Sequence, residues 1–238
     1  MSALTALSSA LVAGGLLWST PVTASEASLS SPLGSAIVAV PNASLEVTGC
    51  QKVPVSISVT TLDPSTTWTT TVEVRLSGTA PTHSEFLYGD GTESDDGEFE
   101  ICDLHGAGRW IASGIVTLRN YGLKQEYELP FEFFFTVDKA STTTEITSVK
   151  RGRSSITVTG KSTSPSARYG TVGAPGTVVV EAQTPKSTKW VPVGSAYASS
   201  TGTFTMNIVR KIPANSRFRA IHQGSDGIQG SVSPVVRG

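Results

Sequence analysis

Thr69-Thr70-Thr71-Val72-Glu73-Val74-Arg75-Leu76 is the stretch on which the fold turns. From Val72 to Leu76 apolar and polar residues alternate strictly, the period of a strand buried on one face and wet on the other. Runs of the same kind lie on both sides of it. In the first half, residues 44–48, 53–60, 97–101, 110–119 and 131–137 read as strands. Asp63-Pro64, Gly89-Asp90-Gly91 and Asn120-Tyr121-Gly122 supply turns between them. The run Phe131-Glu132-Phe133-Phe134-Phe135 is the most apolar and is expected at the centre of a sheet. A low-complexity bridge follows, Lys139-Ala140-Ser141-Thr142-Thr143-Thr144, and then the pattern restarts at 155–159, 177–182, 190–193, 203–208 and 217–222. No segment carries a helical period. Short strands at this spacing predict an all-β chain folded as two sandwiches. Residues 44–49 and 155–160 agree at four positions, which reads as the echo of a repeated unit.

Composition agrees with that reading. Of 238 residues, 38% are apolar and 16% charged, and the mean hydropathy is +0.02. Such a chain can bury a core and is neither disordered nor built of membrane helices. Its 23 glycines and 13 prolines suit frequent turns.

Residues 11–18 form a short apolar stretch, followed by Pro21 and the small-residue site Val22-Thr23-Ala24. The pattern predicts a secretory signal cleaved after Ala24, with Ala27 as a second position, although no Lys or Arg precedes the apolar stretch. It is too short to cross about 30 Å of hydrocarbon. The expected layout is a signal over 1–24, a mobile tail over 25–34, an acidic sandwich over 35–138, a linker over 139–145 and a basic sandwich over 146–238. Cys50 and Cys102 are the only cysteines. A lone pair in an exported chain is expected to bridge.

The two halves carry opposite charge. Residues 25–138 hold 16 acids and 5 bases, a net of −11, and residues 139–238 hold 13 bases and 3 acids, a net of +10. The overall balance of −1 conceals this split. Asymmetry of this kind concerns partners and association rather than fold.

In the second half, Thr143-Thr144-Glu145-Ile146, residues 155–160, Trp190-Val191-Pro192-Val193, Gly202-Thr203-Phe204 and Phe218-Arg219-Ala220 with Gly224 form a further pattern. Over roughly residues 141–236 this resembles the bacterial immunoglobulin-like modules of secreted actinobacterial proteins. The resemblance implies a Trp strand, a Gly-x-Phe strand and an aromatic-Arg-Ala strand within one sandwich, and it implies a spacer or a binder rather than a particular ligand. The first half is immunoglobulin-like only loosely. Its Trp68 falls 18 residues after Cys50, further than antibody-type domains place theirs.

Candidate chemistry is sparse. His83, His105 and His222 stand without a nucleophile elbow, a zinc helix or a Cys/His cluster. Gly160-Lys161-Ser162 lacks the first glycine of a phosphate loop. Asp90, Glu93, Asp95 and Asp96 lie in an acidic, glycine-containing stretch that could offer oxygens to calcium, though the EF-hand register fails. Lys150, Arg151 and Arg153 form a basic cluster suited to an anionic polymer. No aromatic residues are interleaved with them, so nucleic acid is not expected. The expectation is a secreted, non-enzymatic binding or adaptor protein without a cofactor, presenting two immunoglobulin-like domains to an extracellular protein or glycan. The alternatives are a spacer in a larger secreted or wall assembly, an enzyme inhibitor, or an enzyme with a dispersed site.

Overall fold

Alternation along each strand converts directly into layers. The computed structural model describes residues 24–238, and the apolar stretch 11–18 of the expected signal lies outside them. The first unit contains β1 (Ala24–Ser31), β2 (Gly34–Pro41), β3 (Ala43–Ser44), β4 (Cys50–Thr61), β5 (Thr66–Leu76), β6 (His83–Asp90), β7 (Glu93–Cys102), β8 (Gly108–Asn120) and β9 (Gln125–Asp138). One sheet has the order β1-β2-β4-β7 and the other β3-β9-β8-β5-β6. The inward residues of β4 are Val53, Val55, Ile57 and Val59, and those of β5 include Trp68, Val72 and Val74. With Phe99, Trp110, Val116, Leu118 and Phe135 they fill the space between the sheets. Fully burying one such aliphatic or aromatic side chain contributes about 1.5–3 kcal/mol. Gly89 of β6 lies directly over the Trp68 ring, and a Cβ there would overlap it.

The second unit contains β10 (Thr143–Arg151), β11 (Ile156–Ser166), β12 (Gly170–Gly173), β13 (Gly176–Gln183), β14 (Val191–Ala198), β15 (Thr203–Ile208), β16 (Arg217–His222), β17 (Ser231–Val232) and β18 (Val236–Arg237). In one sheet β11 lies between β10 on one side and β12 and β15 on the other. In the facing sheet the order is β14-β13-β16, with β17 and β18 paired to β16. Val158, Val178, Val180, Phe204, Phe218 and Ala220 form the core.

Several expectations from sequence change here. Residues 25–34 are not a mobile tail: Ala24–Ser31 is β1, paired to β2 along its whole length, with Ala27 and Leu29 against the core. Small polar residues hide that strand because backbone hydrogen bonds, more than apolar side chains, hold it. β9, expected at the centre of a sheet, is next to the edge, since β3 pairs with only two of its residues. Arg109 covers its outward Phe134, with the guanidinium 3.3 Å from the ring centre. The stretch 44–48 is not a strand beyond Ser44, whereas 155–160 leads into β11, so the sequence echo marks no shared element. The expected linker is largely structured. β10 begins at Thr143, and Ala140 bridges Ile228. Antibody-type order sends the third strand to the opposite sheet. In the first unit the long strands β1, β2 and β4 lie side by side in one sheet instead.

The units meet through specific contacts. One Glu46 carboxylate oxygen accepts the Ser166 hydroxyl at 2.8 Å and the other accepts the Ala167 N–H at 3.0 Å. Ala140 donates to Gly227 and accepts from Gln229, each at 2.8 Å. Ala174, Val172 and Ile228 of the second unit pack on the core of the first.

Cys50 and Cys102 form a disulfide across the paired ends of β4 and β7, with Cα atoms 4.0 Å apart and 52 residues of separation. Closing a loop of that size is worth about 4 kcal/mol in the chain-entropy model. The double substitution Cys50→Ser, Cys102→Ser should lower the unfolding free energy in denaturant by up to about that amount. The intact mass of the native chain should rise by two hydrogens on reduction. Two alkylatable thiols in the native, oxidised protein would contradict the bond.

Candidate functional site

The acidic stretch is a tight connection from one sheet to the other rather than a loop. Asp90 ends β6 and Glu93 begins β7, with only Gly91 and Thr92 between them. Successive residues of a strand face opposite ways, so Asp95 and Asp96 diverge. Backbone donors also occupy the carboxylates. Glu93 accepts the Asp90 N–H at 3.0 Å, and Asp95 accepts the N–H groups of Tyr88 at 3.2 Å and Asp96 at 2.9 Å. Among the described residues no group of three or more His, Cys, Asp or Glu side chains is placed to hold a metal. Strand geometry thus does not bring the weak calcium candidates Asp90, Glu93, Asp95 and Asp96 together around one point.

The basic cluster is split in role. Arg151 closes β10 and donates to the carbonyls of Ile212 at 3.0 Å, Pro213 at 2.8 Å and Gly238 at 3.0 Å. It ties the β10–β11 turn to the β15–β16 loop and to β18. Lys150 and Arg153 are exposed beside it. The fold adds cations that are remote in sequence. Arg210 and Lys211 line the same cleft of about 280 Å³ as Arg151 and Arg153. Arg217 and Arg237, opposite one another in register, line a neighbouring cleft of about 440 Å³. Exposed Lys186 and Lys189 sit in the β13–β14 turn at the same end. Nine of the second half's 13 bases thus converge there. The nearest acid, Glu181, is paired with Arg219 at 2.7 Å, and that guanidinium lies 4.5 Å from the centre of the Trp190 ring. This basic end lies at the far side of the unit from the junction, a strand length of about 27 Å along β10. Sequence reading counted Arg210 and Lys211 in the charge total but had no signal that the β15–β16 loop lies against the β10–β11 turn.

The histidines do not assemble a reaction centre. His222 is buried, its Nε2 3.2 Å from the Pro175 carbonyl and its Nδ1 accepting the Gly224 N–H at 3.2 Å. His83 and His105 stand edge to face with ring centres 5.0 Å apart. His105 Nδ1 accepts the Cys102 N–H at 3.0 Å, while His83 Nε2 is buried without a hydrogen-bond partner. Burial, and secondarily the charge of His105, hold the His83 pKa below its usual 6.5, with Glu100 opposing. Among the described residues no helix is long and apolar enough to cross a membrane.

No protein-family model and no curated protein matches this chain. Similar solved structures include a biofilm-associated protein, BSP domain, 16% identical over 84% of this chain and 29% of that one, with a TM-score of 0.26. Another is a red sea bream transglutaminase, 9% identical over 87% of this chain and 31% of that one, with a TM-score of 0.36. The chain spans under a third of the length of either. Similarity at this level carries nothing about activity or partners to this chain.

Two outcomes follow from the geometry. Arg151→Ala removes three bonds to carbonyls and should destabilise the protein by roughly 1–3 kcal/mol, because bonds to charged groups sit at the upper end of the usual range. Arg153→Ala, which touches no such partner, should stay within about 0.5 kcal/mol of wild type. Equal denaturation midpoints for the two variants would remove the structural role given to Arg151. For His83, a depressed folded pKa means the folded state binds fewer protons than the unfolded chain below about pH 6.5. Its contribution is complete above that pH and is lost as pH falls towards the folded value. His83→Gln should flatten the stability profile between about pH 7 and pH 5. An unchanged slope would assign the loss to other groups.

Proposed function

We propose that this chain is a non-enzymatic extracellular adaptor whose second unit holds an anionic polysaccharide at its basic end. The observation that carries the reading is the convergence of Arg153, Arg210, Lys211, Arg217 and Arg237 on adjoining clefts, with the neighbouring acid Glu181 already paired. A one-signed surface next to concave, low-dielectric walls concentrates an oppositely charged polymer. Arginine forks suit carboxylate and phosphate groups geometrically.

The immunoglobulin-like reading is kept for the second unit alone. Its support is the strand order, in which β10, β11 and β15 face β14, β13, β16 and β17 as strands A, B and E face C′, C, F and G in that fold. An extracellular address is supported by the Cys50–Cys102 bond. The non-enzymatic reading is supported by the uses already made of the candidate groups: Glu93 and Asp95 bind backbone N–H groups, Arg151 binds carbonyls, and His222 binds Pro175 and Gly224.

Retention on immobilised polygalacturonate, with neutral dextran as control, tests the proposal. The chain should be retained at low ionic strength and released as salt rises, since exposed charges are screened beyond about 8 Å at physiological ionic strength. Arg153→Ser, Arg210→Ser and Lys211→Ser together should abolish retention without lowering the melting temperature. Undiminished retention of that variant, or equal retention on dextran, would overturn the reading.

A further inference from the structure

We propose that the outer face of the β3-β9-β8-β5-β6 sheet docks the basic end of a second copy of this chain. The face is unusual for a solvated surface. Phe86 and Tyr88, both outward on β6, are 59% and 66% exposed and lie nearly parallel, at 26°, with ring centres 6.1 Å apart. Beside them is a shallow trough of about 370 Å³, walled by Thr69, Thr71, Ile115, Thr117, Glu73 and Glu128. Register defines the rows: Tyr88, Thr69, Thr117 and Glu128 run across the sheet, and Phe86, Thr71, Ile115 and Pro130 run parallel to them.

The charge on this face is negative and uncompensated. Its own cations are occupied. Arg75 pairs with Glu132 at 3.3 Å, Arg119 with Glu126 at 2.7 Å, and Arg109 lies on Phe134. Glu73, Asp90 and Glu128 have no ion-pair partner among the described residues. Asp90 follows Tyr88 by two residues, a distance of about 7 Å along a strand. Two exposed rings bordered by free carboxylates offer a guanidinium or ammonium both a ring face and a counter-charge.

The cations that fit are on the same chain. The basic end carries Arg153, Arg210, Lys211, Arg217 and Arg237, none with an acidic partner among the described residues. It lies on the second unit and the aromatic face on the first, so each copy bears both halves of one contact. Joining different patches of identical chains is a heterologous contact, which propagates unless its rotation closes a ring. The reading above also uses the basic end, but with a polysaccharide as ligand. Here a second copy's carboxylates take the place of the polymer's.

Sedimentation of the full chain tests this in about 0.01 M and about 1 M salt, where the Debye length falls from about 30 Å to about 3 Å. Low salt should give a sedimentation coefficient that rises with protein concentration, and high salt a monomer. Phe86→Ser with Tyr88→Ser should leave a monomer in low salt, and so should the triple substitution of Arg153, Arg210 and Lys211 by serine. Each variant retains one intact half, so an equimolar mixture of the two should form a 1:1 complex and nothing larger. A wild-type monomer in low salt, association that persists in high salt, or a mixture that stays monomeric would overturn the proposal. The aromatic variant keeps its basic end and should be retained on polygalacturonate like wild type. A wild-type chain that is retained on polygalacturonate but stays monomeric in low salt therefore sinks the docking surface alone, and one that self-associates but is not retained sinks the polysaccharide reading alone.

Discussion

Burial of every second side chain between two facing sheets is the constraint from which the rest of this molecule follows. Packed sheets stand about 10 Å apart, and the gap must be filled to the density of a crystal. In the first unit Trp68, Trp110, Phe99 and Phe135 supply the bulk. The backbone on both sides is paired into ladders, so its polar groups are satisfied without water. Strand edges are the weak point of any such arrangement. Here β1 lies alongside β9 at one edge, and the short β6–β7 connection crosses from one sheet to the other at the opposite edge. The disulfide pins β4 to β7 at Cys50 and Cys102, the far end of β7 from its connection to β6.

With the interiors apolar, charge has only outward faces and loop ends to occupy. In the second unit the β10–β11, β13–β14 and β15–β16 connections gather at one end, and bases in separate stretches of sequence become neighbours. The opposite end is taken up by the junction, where Glu46 grips Ser166 and Ala167 and where Ala140 is bonded on both sides. The molecule is therefore electrically polar along its length, with the basic loops directed away from the acidic unit. An arrangement of this kind promotes oriented encounter with a charged partner more than it contributes to folding stability.

Structure also separates residues that look alike in sequence. Arg151 and Arg153 are two positions apart, yet one is spent on three carbonyls and the other is open to solvent. Asp95 and Asp96 are adjacent, yet they face opposite sides of β7. Ligand chemistry requires convergence, and a strand that alternates its side chains works against convergence among its own residues.

Alternation in stretches such as 72–76, 203–208 and 217–222 was enough to determine strands, an all-β class and two cores, because a period of two is local and each residue reports its own burial. Counting charges determined that the halves are opposite, and counting cysteines determined the bridge. The sequence missed β1, whose small residues carry little apolar signal, missed β2 despite its Ile37, Val38 and Val40, and placed the Phe-rich β9 too centrally. It was also silent on which strands share a sheet, on the meeting of Arg153 with Arg210 and Lys211, and on the exposure of Phe86 and Tyr88. Those facts depend on pairings between residues far apart in the chain, and only the packing of whole sheets selects among them.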